Sequence, residues 1–257
     1  MTIQKLEIGT LKLEVHDSAA AAGEAAALAT AEAIRQANRA DGLGVIFATG
    51  NSQLETLRAL TSMPDVPWEQ IIGFHLDEYV GISDLHPASF RRYLRTNLTE
   101  RVPIRKFFEI DGSASDLALV QREYTRHLAE VRPQICLLGI GENGHLAFND
   151  PHEADFSDPQ TIRIANLDTA CRQQQVGEGW FGTLAEVPEQ ALTLTIPTML
   201  RIPKLIVSVP GKRKAESVRR TFEDPISTAC PATILRNHPD ATLYLDPESA
   251  AELASIA

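Results

Sequence analysis

Short runs of apolar, β-branched and aromatic residues recur along the chain, and the polar segments between them are long enough to form helices. Each run has the length and residue types of a β-strand. The predicted strands are Leu11–Val15, Val45–Thr49, Ile71–Leu76, Lys106–Ile110, Ile135–Ile140, Thr161–Leu167, Ala191–Ile196, Lys204–Val209 and Ala241–Leu245. Parallel neighbouring strands need a connection long enough for a helix. The alternation therefore predicts an α/β protein of the Rossmann-like, three-layer α/β/α type, with a mainly parallel central sheet.

The beginning of the chain shows this pattern in its simplest form. The strand Leu11–Val15 is followed by Asp17, a residue type that often caps helices, and then by an Ala-rich run through Ala40. The run ends at Asp41-Gly42, which is a helix stop signal. No linker, low-complexity tract or repeat interrupts the alternation, so we expect a single domain over residues 1–257.

Polar and glycine-rich clusters directly follow four of the predicted strands. They are TGNSQ (49–53), LDEY (76–79), GIGENGH (139–145) and PGKRK (210–214). In open α/β sheets, ligands bind outside the carboxyl ends of the strands. We therefore expect all four clusters to lie on one edge of the sheet.

The first cluster is a candidate anion site. Gly50, Asn51 and Ser52 precede the amphipathic run LETLRAL, so their amides lie at a predicted helix N-terminus, where phosphate is favoured. The cluster is not a Walker A loop, because the Gly-Lys-Ser/Thr ending is absent. A plain strand-to-helix turn is the alternative interpretation.

The last cluster has a similar position. Lys214 lies near a predicted helix start, where a cation opposes the helix dipole unless an anion is bound. The alternative is a solvated helix face, helped by Glu216 and Arg220 at i,i+4 spacing.

The second cluster places two adjacent carboxylates at the end of an apolar strand. Asp77 or Glu78, partly shielded from water there, would have a raised pKa and would suit a general base. The alternative is a structural carboxylate that caps a turn or pairs with Arg91 or Arg92.

The segment Gly139–Asp150 (GIGENGHLAFND) is the richest in chemistry. Its glycines permit unusual backbone conformations and close ligand approach. An unperturbed imidazole such as that of His145 titrates near neutral pH, and Asp150 is close enough in sequence to orient it. GIGENG has dinucleotide-type glycine spacing, but no acidic residue ends a following strand about 20 residues later, which argues against that class.

Composition narrows the set of partners. With 24 Lys+Arg against 34 Asp+Glu, the formal net charge is −10, so long-range electrostatics would repel nucleic acid. No apolar stretch approaches the roughly 20 residues of a membrane span, and the N-terminus lacks a signal-peptide pattern. The three cysteines lack CxxC spacing, which argues against a zinc site and favours reduced thiols. We expect a cytoplasmic protein that binds neither nucleic acid nor membrane.

Taken in order, these clusters resemble the glucosamine-6-phosphate deaminase (glucosamine-6-phosphate isomerase) family, which shares its fold with 6-phosphogluconolactonases. The matching stretches are TGNS, LDEYVG with the following HPASF, GIGENGHLAFNDP, ALTLTIPTML, PGKRKAE and CPATIL, and they span about Val45 to Asp246. DEYVG and GxGxNGHxAFN are the most specific. The lactonases have a GxGxDGHxA-like turn but lack DEYVG, so the deaminases are the better match.

The resemblance implies a deaminating isomerisation of glucosamine 6-phosphate to fructose 6-phosphate and ammonium. His145 would open the pyranose ring by moving a proton between the anomeric hydroxyl and the ring oxygen. Asp150 would orient His145, and Asn143 would lie beside it. Asp77 would remove the C2 proton and deliver it to C1, giving a 2-imino ketose that loses ammonia to water.

The resemblance also implies the substrate contacts and partners. The phosphate would be held by Gly50, Asn51, Ser52, Arg163 and Lys214. Because proton transfers suffice, no metal and no organic cofactor are implied. The partner is a small phosphorylated amino sugar, and a homo-oligomer is compatible with a family that ranges from monomers to hexamers. Residues around 149–185, which begin with the irregular stretch Asn149–Gln160, are expected to form a lid-like loop.

The chain departs from the family pattern at several positions. The family usually has Glu where Asp150 stands, has Asp in some members where Asn143 stands, and often has Lys at the position of Ala165. A sugar-contacting Arg has no clear match in Val176–Phe181. The last two departures concern substrate contacts, so they bear on the amino-sugar identity more than on the reaction type.

Two alternative functions follow from the same residues. One is a 6-phosphogluconolactonase or another sugar-phosphate isomerase, which would turn over substrate without releasing ammonia. The other is a non-catalytic sugar-phosphate sensor. The presence of Asp77 and His145 argues against the sensor.

Overall fold

The computed structural model describes residues 2–37 and 42–254. The strands are β1 (Thr2–Ile8), β2 (Leu11–His16), β3 (Leu43–Phe47), β4 (Ile71–His75), β5 (Asp77–Tyr79), β6 (Lys106–Phe107), β7 (Ile135–Leu138), β8 (Ile162–Asn166), β9 (Gln190–Leu194), β10 (Lys204–Val209) and β11 (Ala241–Leu245). Eight of them form one sheet in the order β1-β2-β11-β10-β7-β3-β4-β6. Every neighbouring pair is parallel except β1 with β2. The predicted mainly parallel central sheet is confirmed.

A second, three-stranded sheet has the order β5-β9-β8 and is antiparallel. The chain passes into it directly from the main sheet, because only Leu76 separates β4 from β5. The carbonyl of Leu76 accepts a hydrogen bond from the backbone amide of Leu194, the last residue of β9 (2.8 Å). The LDEY cluster (76–79) is therefore also the junction between the two sheets.

Three details of the strand prediction differ from the structure. The runs Thr161–Leu167 and Ala191–Ile196, predicted to continue the parallel alternation, form the antiparallel pair β8–β9. Both runs are largely buried, and burial produces an apolar run in either kind of sheet. The run Lys106–Ile110 is a strand only at its first two residues, because the Ile110 amide donates to a histidine side chain instead of to a neighbouring strand. Strands β1 and β5 were not predicted.

The helices are α1 (Ala19–Ala37), α2 (Leu54–Thr61), α3 (Phe90–Leu94), α4 (Leu117–Val131), α5 (Thr169–Gly177), α6 (Ile196–Leu200) and α7 (Ala215–Glu223). One apolar cluster joins α1, α2 and α3 to one face of the main sheet. Another joins α4, α6 and α7 to the opposite face. Helices thus cover both faces, as the three-layer prediction requires.

The start of α1 lies one residue later than predicted. The hydroxyl of Ser18 accepts a hydrogen bond from the Ala21 amide (3.2 Å) in the position of an N-cap. The predicted helix end at Ala40 and Asp41 lies outside the described residues. Within the described part of the chain, no helix is both long and apolar enough to cross a membrane.

Candidate active site

The loops that follow β3, β4, β7 and β10 meet at one edge of the main sheet and line a cavity of about 590 Å³. Each loop contributes a predicted site residue, namely Gly50, Asp77, His145 and Lys214. The strand direction alone predicted this meeting, because all four strands are parallel and end at the same edge. The expectation that the four clusters lie on one edge of the sheet is confirmed.

Asp77 lies at the junction between the two sheets and faces the cavity. It is only 6% exposed. Burial raises the pKa of Asp77 well above the ordinary carboxyl range, and the negative charge of Glu78 raises it further. A carboxylate in this environment has a strong tendency to take up a proton, which is the property of a general base.

The backbone of Asp77 is held by a buried histidine that sequence analysis did not single out. His75 Nε2 accepts the backbone N–H of Ile110 (2.7 Å), so the ring proton is on Nδ1, which donates to the carbonyl of Asp77 (3.0 Å). The hydroxyl of Tyr124 bonds to both the backbone N–H and the carbonyl of His75 (2.8 and 2.7 Å). Burial lowers the pKa of His75 to about 3, so the imidazole is neutral at physiological pH.

Glu78 is buried like Asp77, and burial raises its pKa as well, but Glu78 does not line the cavity and its carboxylate is bonded within the protein. It is fully buried, and its carboxylate accepts from the Ser89 hydroxyl (2.8 Å), from the Arg91 side chain (3.3 Å) and from the backbone amides of residues 79, 90 and 91. Glu78 is therefore the structural carboxylate of the alternative interpretation, paired with Arg91. Arg92 instead donates to the carbonyl of Leu85.

Asn143, His145 and Asp150 form a hydrogen-bonded group. The distance from His145 Nδ1 to Asp150 Oδ1 is 3.0 Å, and the Asn143 amide donates to the same oxygen (2.7 Å). Asn143 Oδ1 also accepts from the His145 backbone amide (3.1 Å). Burial by itself would raise the pKa of Asp150, but the charge of His145 and the hydrogen bonds from His145 and Asn143 lower the pKa below its usual range. The structure thus brings these three predicted residues together around an ionised carboxylate.

Gly141 explains how the imidazole fits against its own loop. A Cβ at this position would lie 2.2 to 2.3 Å from three ring atoms of His145, so any larger residue would displace the ring. The Gly141 amide also donates to the His145 carbonyl (2.9 Å) and closes the turn. The glycine is required for this close approach.

Hydrogen bonds from Tyr93 and Gln53 hold the predicted anion loop (residues 50–52) in place. Gly50 has a φ of 89°, and its missing Cβ would meet nothing within 4 Å, so the backbone lies open to the cavity. The Tyr93 hydroxyl donates to the Gly50 carbonyl (2.9 Å). The Gln53 amide donates to the Leu138 carbonyl and to Ser52 Oγ (3.0 and 3.1 Å). Ser52 is therefore an acceptor on its protein side, and its own hydroxyl proton is available to a ligand.

Lys214 lines the cavity from the opposite loop, in a short 3-10 turn just before α7. Burial lowers the pKa of its ammonium group, although the negative charges of Glu178 and Glu142 oppose this shift. The Arg220 guanidinium bonds to Asp224 (3.0 Å), and its interaction with Glu216 is electrostatic only. Lys214 itself lines the cavity and does not lie on a fully solvated helix face. A partly desolvated ammonium facing Gly50–Ser52 across a cavity is suited to binding an anion.

Arg163 is not part of this cavity. It lies on β8 in the small sheet, where its guanidinium contacts the carboxylates of Glu153 (2.6 Å) and Asp158 (3.2 Å). It also donates to the Glu153 carbonyl (2.7 Å). Its predicted place among the phosphate ligands is corrected accordingly, since its charge is already neutralised within the protein.

In addition to the two walls formed by the Gly50–Ser52 loop and the Lys214 loop, the cavity has a third wall, which the sequence did not predict. It comes from α5 and the turn after it, which contribute Gln174, Gln175, Glu178 and Trp180. The Glu178 carboxylate accepts from the Gln174 amide (2.8 Å) and from the Trp180 indole (3.3 Å). The only available signal was the polar character of α5, which falls within the predicted lid-like segment 149–185. Its movement as a lid stays a prediction.

No group of three His, Cys, Asp or Glu side chains is arranged to hold a metal ion among residues 2–37 and 42–254. The titratable side chains that line the cavity are Asp77, Glu142, His145, Glu178, Lys212, Arg213, Lys214, Asp246 and Glu248. The site is thus equipped for proton transfer and anion binding.

The chain is similar in sequence to several curated glucosamine-6-phosphate deaminases. The Exiguobacterium sibiricum protein is 34% identical over 217 residues, which cover 84% of this chain and 84% of that protein. The Streptococcus thermophilus protein is 31% identical over 207 residues, covering 80% of this chain and 86% of that protein. Each alignment covers most of this chain and most of the relative.

The fold is similar to solved structures with two different activities. A structure described as a monomeric glucosamine-6-phosphate deaminase has a TM-score of 0.85 at 29% identity, over 93% of this chain and 99% of the other. A 6-phosphogluconolactonase from Trypanosoma brucei has a TM-score of 0.75 at 20% identity, over 94% of this chain and 98% of the other, which shows a shared fold alone.

A sequence model of the family described as glucosamine-6-phosphate isomerases/6-phosphogluconolactonase matches residues 16–244. This range contains the cavity loops after β3, β4, β7 and β10 and the third wall formed by α5. The chain therefore belongs to the glucosamine-6-phosphate isomerase/6-phosphogluconolactonase family.

Proposed function

We propose that this protein is a glucosamine-6-phosphate deaminase, which converts glucosamine 6-phosphate and water into fructose 6-phosphate and ammonium. One observation carries the proposal: Asp77, a buried carboxyl with a raised pKa, and His145, held by Asp150, open into the same cavity. Curated relatives at 31% and 34% identity carry this name.

The first step is opening of the sugar ring. His145 takes the proton of the anomeric hydroxyl and returns a proton to the ring oxygen, which breaks the C1–O5 bond and gives the open-chain aldehyde. The ionised Asp150 supports this role, because it fixes the imidazole and stabilises its protonated form. Asn143 supports it by holding both the Asp150 carboxylate and the His145 backbone.

The second step moves a proton from C2 to C1. Asp77 removes the C2 proton while the substrate's ammonium group gives a proton to O1, which leaves an enolamine; Asp77 then delivers its proton to C1, which gives a protonated 2-imino ketose. Water then adds to the imine carbon, and the nitrogen leaves as ammonia and is protonated. The raised pKa of Asp77 suits both halves of this step, because one group must first accept the proton and then donate it.

The substrate phosphate lies between the two candidate anion loops. The amides of Gly50, Asn51 and Ser52 and the ammonium of Lys214 are its ligands, and both loops line the cavity that Asp77 and His145 face. Binding of the phosphate, which is distant from the reacting carbons, fixes the position of the sugar relative to Asp77 and His145.

The proposed location is the cytoplasm, where the substrate class is metabolised. The free thiols Cys136, Cys171 and Cys230 are all buried, as expected of a protein in a reducing compartment. The homo-oligomer stays a prediction, which light scattering of the purified protein would check.

The test is incubation of the purified protein with glucosamine 6-phosphate. We expect ammonium and fructose 6-phosphate in equal amounts, and no activity in the Asp77→Asn variant. Hydrolysis of 6-phosphogluconolactone without ammonium release would replace this proposal with a lactonase. Sugar-phosphate binding in calorimetry without any turnover would replace it with a sensor.

A further inference from the structure

Helix α5 presents one buried side-chain amide to the cavity. Gln175 lines the cavity and is 8% exposed. Its Oε1 atom lies 2.8 Å from the hydroxyl oxygen of Tyr79, a residue of β5 that is fully buried. The contact joins the third cavity wall to the strand that begins with Asp77.

The Tyr79 hydroxyl is the donor in this hydrogen bond. Burial raises the pKa of Tyr79 well above its ordinary value, so the phenol keeps its proton. The phenol donates that proton to Gln175 Oε1. The amide orientation follows, because Oε1 is committed to Tyr79 and the two N–H groups of Nε2 must point elsewhere.

The Nε2 group has no protein acceptor among the described residues, although the rest of the side chain is almost entirely enclosed. The neighbouring Gln174 is different, because its Nε2 donates to Glu178 Oε1 (2.8 Å) and is satisfied within the protein. Gln175 Nε2 is not one of the buried side-chain atoms that lack a hydrogen-bond partner, so it is open to the cavity although the residue as a whole is buried. An oriented donor that no protein group uses and that opens into a cavity is the arrangement expected of a ligand contact.

We propose that Gln175 is a specificity-determining residue whose Nε2 donates a hydrogen bond to an oxygen of the bound sugar phosphate, with Tyr79 fixing its orientation. This inference rests on the proposed function for the identity of the ligand. The acceptor is either a sugar hydroxyl or a phosphate oxygen, and the experiment separates the two.

The experiment measures Kd for glucosamine 6-phosphate by calorimetry, with every variant in an Asp77→Asn background so that the ligand is not consumed. Gln175→Leu is expected to weaken binding about threefold to tenfold if the acceptor is a neutral hydroxyl, and more if it is a charged phosphate oxygen. Inorganic phosphate is the second probe. Weaker phosphate binding in Gln175→Leu identifies a phosphate oxygen, and unchanged phosphate binding identifies a hydroxyl.

A double variant separates ligand binding from a structural role. Gln175→Leu alone leaves the Tyr79 hydroxyl buried without its acceptor, so we expect a lower Tm. Tyr79→Phe with Gln175→Leu removes both polar groups and should recover much of the Tm while binding stays weak. Recovery of tight binding together with the Tm would make Gln175 merely structural and would overturn the inference.

The matched control is Gln121→Leu. The Gln121 amide donates to the Ile162 carbonyl (3.1 Å), and this side chain does not line the cavity. Its variant should bind both probes as the parent does. Unchanged Kd values in Gln175→Leu would also overturn the inference. If instead the wild-type protein binds glucosamine 6-phosphate tightly but does not convert it, the proposed deaminase activity is refuted and Gln175 is still a ligand contact.

Discussion

His145 Nδ1 lies 3.0 Å from Asp150 Oδ1, a hydrogen-bond distance reached with a side chain one methylene shorter than the Glu usual in the family this chain resembles. The same oxygen accepts from the Asn143 amide (2.7 Å). Some family members have Asp at the position of Asn143, where a second carboxylate would replace this donor. The two departures thus fit together, because the amide donor holds the shorter carboxylate in place.

The first prediction concerns this carboxylate. Asp150→Asn keeps the shape of the side chain but removes the charge that stabilises protonated His145. We expect kcat/KM for glucosamine 6-phosphate to fall by about 10²–10⁴-fold, the contribution of one positioned acid–base group. Asp155→Asn is the control, because Asp155 lies in the following loop, is exposed and accepts only from the Ser157 amide. Equal kinetics in the two variants would contradict the role of Asp150.

The second prediction concerns the pH dependence of kcat/KM. Only the ionised form of Asp77 accepts the C2 proton, so activity should rise with pH through the pKa of this group. Because burial raises that pKa, the acid limb should lie above the ordinary carboxyl range. Loss of the acid required for ring opening should then produce a falling limb. A flat profile from pH 5 to pH 9 would count against both assignments.

The raised pKa of Asp77 also predicts how the free energy of unfolding depends on pH. Asp77 has an ordinary carboxyl pKa of about 4 in the unfolded chain and a raised pKa in the folded protein. As the pH rises between these two pKa values, Asp77 ionises in the unfolded chain but not in the folded protein, so the free energy of unfolding falls. Asp77→Asn should therefore be inactive but more stable than wild type at pH 7, and the difference should vanish below about pH 4. Urea denaturation at a series of pH values measures this.

The third prediction separates Glu78 from its neighbour. Glu78→Gln breaks an ion pair with Arg91, in which both residues are almost fully buried. Arg91 keeps a second carboxylate partner in Asp111 (2.7 Å), but the hydrogen bonds that the buried Glu78 carboxylate accepts are lost or weakened, so we expect a loss of about 1–3 kcal/mol in the free energy of unfolding. The exposed pair Glu123–Arg126 is the control, and Glu123→Gln should leave stability unchanged within error. A stability loss no larger in Glu78→Gln than in the control would show that Glu78 is not a structural carboxylate.

The fourth prediction tests which cation holds the phosphate. Lys214→Met should raise KM about tenfold or more, because it removes a charge-assisted contact from the cavity. Arg163→Met should leave KM nearly unchanged and lower stability, because it breaks contacts to Glu153 and Asp158. Steady-state kinetics and thermal denaturation of both variants decide the matter. An equal rise of KM in Arg163→Met would restore Arg163 to the phosphate site.

The sequence predicted the meeting of the four loops because strand direction alone decides which end of a parallel sheet each loop reaches. The residue pattern by itself did not separate Asp77 from Glu78, and only the family resemblance pointed to Asp77. Adjacent residues of a strand point to opposite faces, so one of the two had to face away from the cavity. Which one depends on how β5 pairs with β9, and β5 is too short and polar to be recognised as a strand.

The misplaced Arg163 has a related cause. Its partners Glu153 and Asp158 lie in the irregular stretch after Asn149, whose path no periodicity predicts. The third cavity wall escaped notice because α5 has a polar sequence without an apolar stripe, and a helix of that kind is not recognised from periodicity. Tertiary contacts, and not local pattern, decide both features.

The fifth prediction concerns His75. Its neutral ring links the Ile110 amide to the Asp77 carbonyl and so sets the backbone position of the proposed base. His75→Phe keeps an aromatic ring but removes both hydrogen bonds. Because a displacement of about 1 Å costs up to 10²-fold in rate, we expect kcat to fall about tenfold to 10²-fold with a smaller change in KM. Steady-state kinetics together with urea denaturation measure the effect.

The chain supplies a matched control for this variant in His238. That ring is also buried, and it links the Asp240 amide (3.1 Å) to the Ile202 carbonyl (2.8 Å) outside the cavity. His238→Phe should therefore also lower stability, although somewhat less than His75→Phe, since it leaves a buried carbonyl and a part-buried amide unpaired. Its kcat should stay close to wild type. If both variants lose kcat equally, general destabilisation explains the loss, and His75 has no special role in positioning Asp77.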